Sequence, residues 1–171
     1  NPQFAEITLA AFTGTAHAQF AAVTRMGATG TNGNAQDYYY GAAMRNDAYY
    51  GPGFTSMIIE ATNNSETVIA SESSTTWVAG DVVKLVSNGN AHTLYRNGAS
   101  LITNSSDSAH TSGGVGVYVY SEEATLANTT VETWHGGDLV VAYTLTATGA
   151  TFNYTGGDAG LLWKQRVAAD G

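Results

Sequence analysis

The chain has 171 residues and no cysteine, and its 14 acidic against six basic side chains give a net charge of −8. The missing cysteine excludes disulfides, thiol catalysis and cysteine-based metal centres. A surface this acidic repels phosphate, so we expect no nucleic-acid partner, and no apolar run approaches the roughly 18 residues that a membrane insertion needs.

The composition predicts an almost wholly β protein. Threonine, valine and the aromatic residues suit half-buried strands, glycine and asparagine suit turns, and no window shows a helical apolar period. In chain order, strands are predicted at Gln3–Leu9, Ala18–Met26, Asp37–Arg45, Phe54–Ala61, Glu66–Glu72, Val82–Val86, His92–Arg96, Ala99–Thr103, Val115–Tyr120 and Ala124–Trp134.

Two Asn-Gly dipeptides give the sharpest local prediction. Asn88-Gly89 and Asn97-Gly98 each separate two strand-like runs, and both residues of Asn-Gly tolerate the positive φ of a type I′ hairpin turn. They predict a three-stranded meander. Frequent turns between about ten strands then indicate two antiparallel sheets packed as a sandwich or jelly roll.

The residues Gly136-Gly137-Asp138 predict a domain boundary. Residues 1–136 would form the sandwich, and residues 137–171 a small β appendage or the start of a further β domain. Because residue 1 is asparagine and the chain stops at a turn-forming Asp-Gly, we expect the native polypeptide to be longer. The appendage has three candidate strands, at Val140–Ala147, Thr151–Tyr154 and Leu161–Val167.

Three motifs occur in a familiar order: Ala79-Gly-Asp-Val-Val-Lys-Leu, Thr93-Leu-Tyr-Arg-Asn-Gly and Ser112-Gly-Gly-Val-Gly-Val. Over roughly residues 3–135 the sequence resembles the concanavalin A-like, laminin G-type jelly-roll superfamily. The resemblance implies a fold and no single function, because that superfamily includes lectins, glycan-cleaving enzymes, adhesion modules and virion surface proteins. The segments at 142–147 and 155–162 are similar to β segments of phage structural proteins.

A catalytic site is not predicted. Glucan-hydrolysing members of the superfamily carry two glutamates at alternating positions of one strand, whereas the adjacent Glu122 and Glu123 would point to opposite faces. No Gly-x-Ser-x-Gly elbow or phosphate loop occurs. The histidines show no metal-ligand spacing, and we expect isolated surface or hairpin side chains at His17, His92, His110 and His135.

No metal cofactor is predicted either. Calcium is the alternative, because loop carboxylates can bind it, and the candidates are Asp37, Asp47, Asp107 and Asp138. Scattered aspartates are more often turn formers, which favours a chain without a metal.

One loop offers a ligand-binding site. Tyr49, Tyr50 and Phe54 flank Gly51-Pro52-Gly53, where rigid aromatic rings could stack on sugars, and the neighbouring Asn46 and Asp47 could bond hydroxyl groups. The alternative is that these rings pack on the sandwich rim or on a neighbouring subunit. Other aromatic residues are assigned to packing: Tyr38, Tyr39, Tyr40, Trp77, Trp134 and Trp163.

These observations favour a non-enzymatic structural or attachment module of an extracellular assembly, most plausibly a capsid decoration or fibre protein on a phage virion surface. Its partners would be other copies of itself or other virion or surface proteins, with glycans as further ligands. The alternative is a lectin-like, carbohydrate-binding domain of a secreted or cell-surface protein. A glycan hydrolase or lyase is the third and least supported hypothesis.

Overall fold

The structure, a computed structural model, describes residues 2–13, 16–27, 37–47, 51–62, 65–122, 129–138, 144–148 and 151–155. Within these ranges every regular element is a β-strand, and no helix long and apolar enough to span a membrane occurs there. The strands are β1 Gln3–Phe12, β2 Ala18–Met26, β3 Tyr38–Asp47, β4 Gly51–Thr62, β5 Ser65–Glu72, β6 Val82–Asn88, β7 Ala91–Arg96, β8 Ala99–Asn104, β9 Gly114–Ser121, β10 Thr129–Asp138, β11 Thr144–Thr148 and β12 Thr151–Thr155.

Ten of these strands form two antiparallel sheets of five. Sheet A has the order β10-β1-β6-β7-β8, and sheet B has the order β5-β4-β3-β2-β9. β1 and β6 of sheet A both contact β2 of sheet B, so the sheets stack face to face. This arrangement confirms the predicted all-β, two-sheet jelly-roll sandwich.

The end of β10 bears on the predicted domain boundary. Gly136, Gly137 and Asp138 lie inside β10, whose last residue pairs with Gln3 of β1, so these three residues belong to sheet A. β11 and β12 pair only with each other in the described part of the chain. The division into two domains stays a prediction, and the candidate strand Leu161–Val167 lies outside the described residues.

The meander of β6, β7 and β8 is present, with one turn displaced. Asn97 and Gly98 have φ values of 51° and 82°, as a type I′ turn requires. The first turn is centred on Gly89-Asn90, because Asn88 itself pairs with Ala91. The prediction of a turn at Asn88-Gly89 is therefore wrong by one residue.

The space between the sheets is filled by alternate residues of each strand. Ile7 and Leu9 of β1 have no exposed surface, and neither do Phe20 of β2 and Trp77. The indole Nε1 of Trp77 donates to Oγ of Ser56 at 3.0 Å, which satisfies its one polar atom. The packing is less complete at the edge strands, where Val117 and Val119 of β9 and Trp134 of β10 are 44–45% exposed.

Sheet B also carries a second apolar cluster on the face that points away from sheet A. β2 is buried along both faces, so its side chains do not alternate between core and solvent. The buried members of this cluster are Ala21, Val23, Tyr40, Ala42, Met44, Met57 and Ile59. These side chains are at most 4% exposed, and the large exposed aromatic side chains on this side of sheet B are Tyr118 and Tyr120 of β9.

Candidate functional site

Four tyrosines project from the outer face of sheet B, and we call this surface the tyrosine face. Tyr38 and Tyr40 of β3 alternate with Tyr39, which belongs to the core between the sheets. On β9, Tyr118 pairs with Ala21 and Tyr120 pairs with Gln19, so both point the same way as the outer cluster. The alternation of two strands therefore brings all four rings to one surface.

The rings form a near-continuous row. The ring centroids of Tyr38 and Tyr40 are 5.7 Å apart, and those of Tyr40 and Tyr118 are 6.0 Å apart. Tyr118 is 40% exposed and Tyr120 38%, whereas Tyr40 is only 3% exposed. Tyr40 thus forms the floor of the row, and the two tyrosines of β9 offer the accessible aromatic surface.

The hydroxyl groups of Tyr38, Tyr40 and Tyr118 are held in their neutral form. Burial raises the pKa of Tyr38, Tyr40 and Tyr118, and the negative charge of Glu66 raises each of them further. Glu66 also accepts a hydrogen bond from the Tyr40 hydroxyl. The tyrosine face can therefore present phenol O–H groups, which both donate and accept hydrogen bonds, at any physiological pH.

A buried amide lies on the same surface. Gln19 of β2 is 5% exposed and pairs with Met44 on one side and Tyr120 on the other. Its side chain is a hydrogen-bond partner of the Tyr40 hydroxyl and lowers the pKa of that tyrosine, against the larger opposing effects of burial and Glu66. An amide beside a phenol can direct hydrogen bonds to the oxygen atoms of a ligand.

The Tyr120 end of the face is more polar. The Tyr120 hydroxyl donates to Oε1 of Glu122 at 2.8 Å, and the ring lies 4.9 Å from that of His17. Nδ1 of His17 is 4.0 Å from the same carboxylate. An aromatic row with carboxylate, amide and phenol groups at its margins has the composition expected of a sugar-binding surface.

The loop predicted as a ligand site connects β3 and β4. Asp47 pairs with Gly51, so this hairpin ends beyond Met44, at the end of sheet B where Gln19 and Tyr120 also lie. The structure describes only the backbone of Asn46, Asp47 and Phe54, and Tyr49 and Tyr50 lie outside the described residues. Their role as ligand contacts stays a prediction.

The interior contains a hydrogen-bonded serine–histidine pair, the same two residue types that form a nucleophile and its base in hydrolases. Oγ of Ser87 lies 2.9 Å from Nδ1 of His92, and the main-chain oxygen of Asp107 lies 3.2 Å from Nε2. Because a carbonyl oxygen only accepts, Nε2 carries the proton and Nδ1 accepts from Ser87, whose Oγ in turn accepts from Thr24 at 2.6 Å. Ser87 and His92 have no exposed surface, so a substrate cannot reach this serine.

A second set of contacts anchors the connection between β8 and β9 to the sandwich. The Tyr39 hydroxyl donates to the carboxylate of Asp107 and accepts from the main-chain N–H of His110 at 3.1 Å. Nε2 of His110 lies 2.8 Å from Oε1 of Glu60. Burial and the hydrogen bond to Asp107 raise the pKa of Tyr39 to about 12. The expectation of an isolated surface or hairpin side chain is wrong for His92, which is fully buried, and for His110.

The loop aspartates do not converge. Asp107 accepts from Tyr39 and from the N–H of Ala109 at 3.0 Å, whereas Asp138 accepts from Nε2 of Gln3 at 3.1 Å. The described residues contain no group of three histidine, aspartate or glutamate side chains that could hold a metal ion. The calcium alternative has no ligand cluster to support it in these ranges.

Sequence reasoning did not single out Gln19, Glu66, Tyr118 or Tyr120. Two tyrosines two residues apart in a predicted strand share a face, so alternation alone could have paired Tyr118 with Tyr120. The contact between Gln19 and Tyr40 has no signal in the sequence. Trp134 is 44% exposed, so its assignment to packing is wrong, while Trp163 lies outside the described residues.

Comparison with known proteins supports the fold. The sequence matches no family model and no curated protein. Among solved structures, the chain is similar to a carbohydrate-binding module, CBM66 from Bacillus subtilis, with a TM-score of 0.53 and 16% sequence identity. The match covers 68% of this chain and 65% of that module. At this identity the likeness shows a shared jelly-roll sandwich and nothing finer.

Proposed function

We propose that the protein is a non-catalytic, carbohydrate-binding domain that binds a glycan chain on the tyrosine face. The carrying observation is the row of tyrosines on the outer face of sheet B, with the buried Gln19 side chain beside the Tyr40 hydroxyl. Aromatic rings stack on the apolar faces of sugar rings, and an amide supplies a directed hydrogen bond to a hydroxyl or ring oxygen. The fold similarity to a carbohydrate-binding module supports this function over the other hypotheses.

The experiment is a titration of the whole chain with a panel of soluble oligosaccharides, measured by calorimetry. Replacing both exposed tyrosines, Tyr118→Ala with Tyr120→Ala, should weaken binding at least about tenfold, because buried aromatic contacts dominate interface energies. Tyr95→Ala is the matched control, because Tyr95 is a half-buried tyrosine on the outer face of sheet A. If the double variant bound glycans as tightly as the parent, the tyrosine face would not be the site.

The loop between β3 and β4 is the alternative binding site, or a second part of a site that includes the tyrosine face. Tyr50→Ala and Phe54→Ala test it directly in the same titration. Loss of binding in these variants alone would place the ligand on the loop. Loss in both sets would indicate a glycan that runs from the tyrosine face onto the loop, since Tyr120 and the loop lie at the same end of sheet B.

The attachment role on a phage virion surface stays a second and less supported candidate. It is based on the absence of a predicted catalytic site, the low content of charged residues, the lack of cysteine and the resemblance of the segments at 142–147 and 155–162, and none of the comparisons supports it. An extracellular or secreted location is compatible with either candidate. Mass spectrometry of purified particles would test the virion role, which requires the chain in multiple symmetric copies, and glycan binding would not contradict it.

A further inference from the structure

We propose that the tyrosine face selects glycan chains that carry protonated amino groups, and that the carboxylate of Glu66 is the selecting charge. This inference rests on the proposed function and names the chemical class of its ligand. It follows from the positions of the charged side chains among the described residues.

Glu66 lies at the edge of the aromatic row, on the edge strand β5. It pairs with Ala61, which pairs in turn with Tyr38, so the three residues cross sheet B on one line. Glu66 is exposed, it bonds the Tyr40 hydroxyl, and its charge acts on Tyr38 and Tyr118 as well. The carboxylate of Glu66 therefore lies at the Tyr38 end of the row, and its charge acts on three tyrosine hydroxyl groups.

The cations of the described residues all contact other groups. Lys84 pairs with Glu6 at 3.2 Å and Arg96 with Asp81 at 2.7 Å, both on sheet A. Arg25 donates to the main-chain oxygen of His110 at 2.6 Å. The fourth, Arg45, lies over the Phe12 ring at 5.0 Å, on the core side of sheet B. None of these contacts involves Glu66.

An ammonium group fits this arrangement better than any other common sugar substituent. A cation over the face of a tyrosine ring is attracted by its quadrupole, and a nearby carboxylate adds a direct ion pair. A uronate or sulfate group would instead meet Glu66, the carboxylate of Glu122 at the other end of the face, and a net charge of −8. His17 also lies at that end and faces Glu122.

The test compares three probes at about pH 6.5: a β-1,4-linked glucosamine hexasaccharide, its fully N-acetylated counterpart, and a hyaluronan hexasaccharide. We expect the parent to bind the amino probe about tenfold more tightly than the acetylated one, to bind hyaluronan most weakly, and to lose most of this preference in 0.5 M salt. Glu66→Gln should reduce the preference to about twofold or less. Glu132→Gln removes the same charge from an exposed position on β10 and should leave the preference unchanged.

The outcomes separate the two proposals. If the parent binds the acetylated or the hyaluronan probe as tightly as the amino probe, and the tyrosine double variant still weakens binding, the charge selection is wrong and the glycan site stands. Equal loss of preference in Glu66→Gln and Glu132→Gln would show a net-charge effect and overturn the role of Glu66. Binding of none of the three probes would overturn the inference, and the wider panel would then decide the proposed function.

Discussion

Gly41 of β3 faces Leu94 of β7 across the sandwich so closely that a Cβ atom at position 41 would lie 2.7 Å from Cδ1 of Leu94. It would also lie 3.2 Å from Cβ of Leu85. The glycine is therefore required by sheet-to-sheet packing rather than by backbone conformation. Small residues at this layer let the two sheets approach each other.

Gly41→Ala should lower the free energy of unfolding by about 1–3 kcal/mol, because the added methyl group overpacks a closed core. Gly116→Ala is the control. A Cβ at position 116 would meet Cε and Sδ of Met26 at 3.6 and 3.7 Å and Cβ of Val23 at 3.9 Å, all ordinary contacts, so the stability of this variant should change by no more than about 0.5 kcal/mol. Urea unfolding of both variants measures the difference, and equal stabilities would contradict the packing argument.

Asp81 joins the start of β6 to the turn that follows β7. Its carboxylate accepts from Val78 N at 2.9 Å, from Arg96 at 2.7 Å and from Nδ2 of Asn97 at 2.8 Å. Burial opposes the charged form, but these three donors outweigh it and lower the pKa of Asp81. Asp81→Asn should cost about 1–3 kcal/mol of stability, because an amide places a donor against donors in a buried site.

The pair of Glu6 and Lys84 is the natural comparison for Asp81. Its atoms are 3.2 Å apart, but both side chains are about 30% exposed. Glu6→Gln should therefore cost less than about 1 kcal/mol, as is usual for solvated ion pairs. Chemical denaturation at pH 7 tests both variants, and a larger loss in Glu6→Gln than in Asp81→Asn would show that burial does not rank these contacts.

Glu72 makes the fold sensitive to strong acid. Burial alone would raise the pKa of Glu72, but hydrogen bonds from Ser56, Ser74 and Thr75 lower it to about 2. The unfolded chain then binds more protons than the folded one between the ordinary pKa of 4.5 and about 2, so stability falls as the pH drops through this range. Asp81 and Asp107, whose pKa values are also lowered, act in the same direction.

The measurement is the free energy of unfolding at pH 5 and pH 3. We expect the parent to be clearly less stable at pH 3, and Glu72→Gln to show a smaller difference because its side chain no longer titrates. Glu132→Gln, an exposed site, should retain the full difference. An unchanged acid response in Glu72→Gln would contradict a role for this carboxylate.

Local features of this fold could be predicted from the sequence because they depend on neighbours along the chain. The alternation of side chains along β1 predicts that Ala5, Ile7 and Leu9 share one face of the strand, and all three are fully buried. The Asn97-Gly98 turn follows from the positive φ that both residues accept. In the Ser-Gly-Gly motif, Gly113 passes so close to Arg25 that a Cβ would lie 2.5 Å from its carbonyl carbon.

The candidate site could not be predicted in the same way because it combines distant segments. Tyr40 and Tyr118 are 78 positions apart in sequence, and they meet only because β2 lies between β3 and β9 in sheet B. The apolar run Phe20-Ala-Ala-Val23 does not alternate, which is typical of a strand buried on both faces and could have indicated the outer cluster. The state of the Gln19 amide depends on the packing of three strands, which no local pattern encodes.

His92 gives the fold a second pH dependence, near neutrality. Burial lowers the pKa of His92, and its two ring nitrogens are already committed, Nε2 as a donor to Asp107 and Nδ1 as an acceptor from Ser87. A proton added at Nδ1 would place a positive charge in this buried site and would force Ser87 and Thr24 to exchange their donor and acceptor roles. The unfolded chain therefore binds the extra proton first, so stability is complete above the ordinary pKa of 6.5 and falls as the pH drops below it.

Chemical denaturation at pH 7.5 and pH 5.5 tests this dependence. The parent should be less stable at pH 5.5, and His92→Gln, although less stable at both values because it disturbs the core, should show a smaller difference between them. His135→Gln is the control, because His135 is exposed on β10. If His92→Gln kept the full difference between the two pH values, the response would come from another group, and the buried chain of Thr24, Ser87 and His92 would have no part in it.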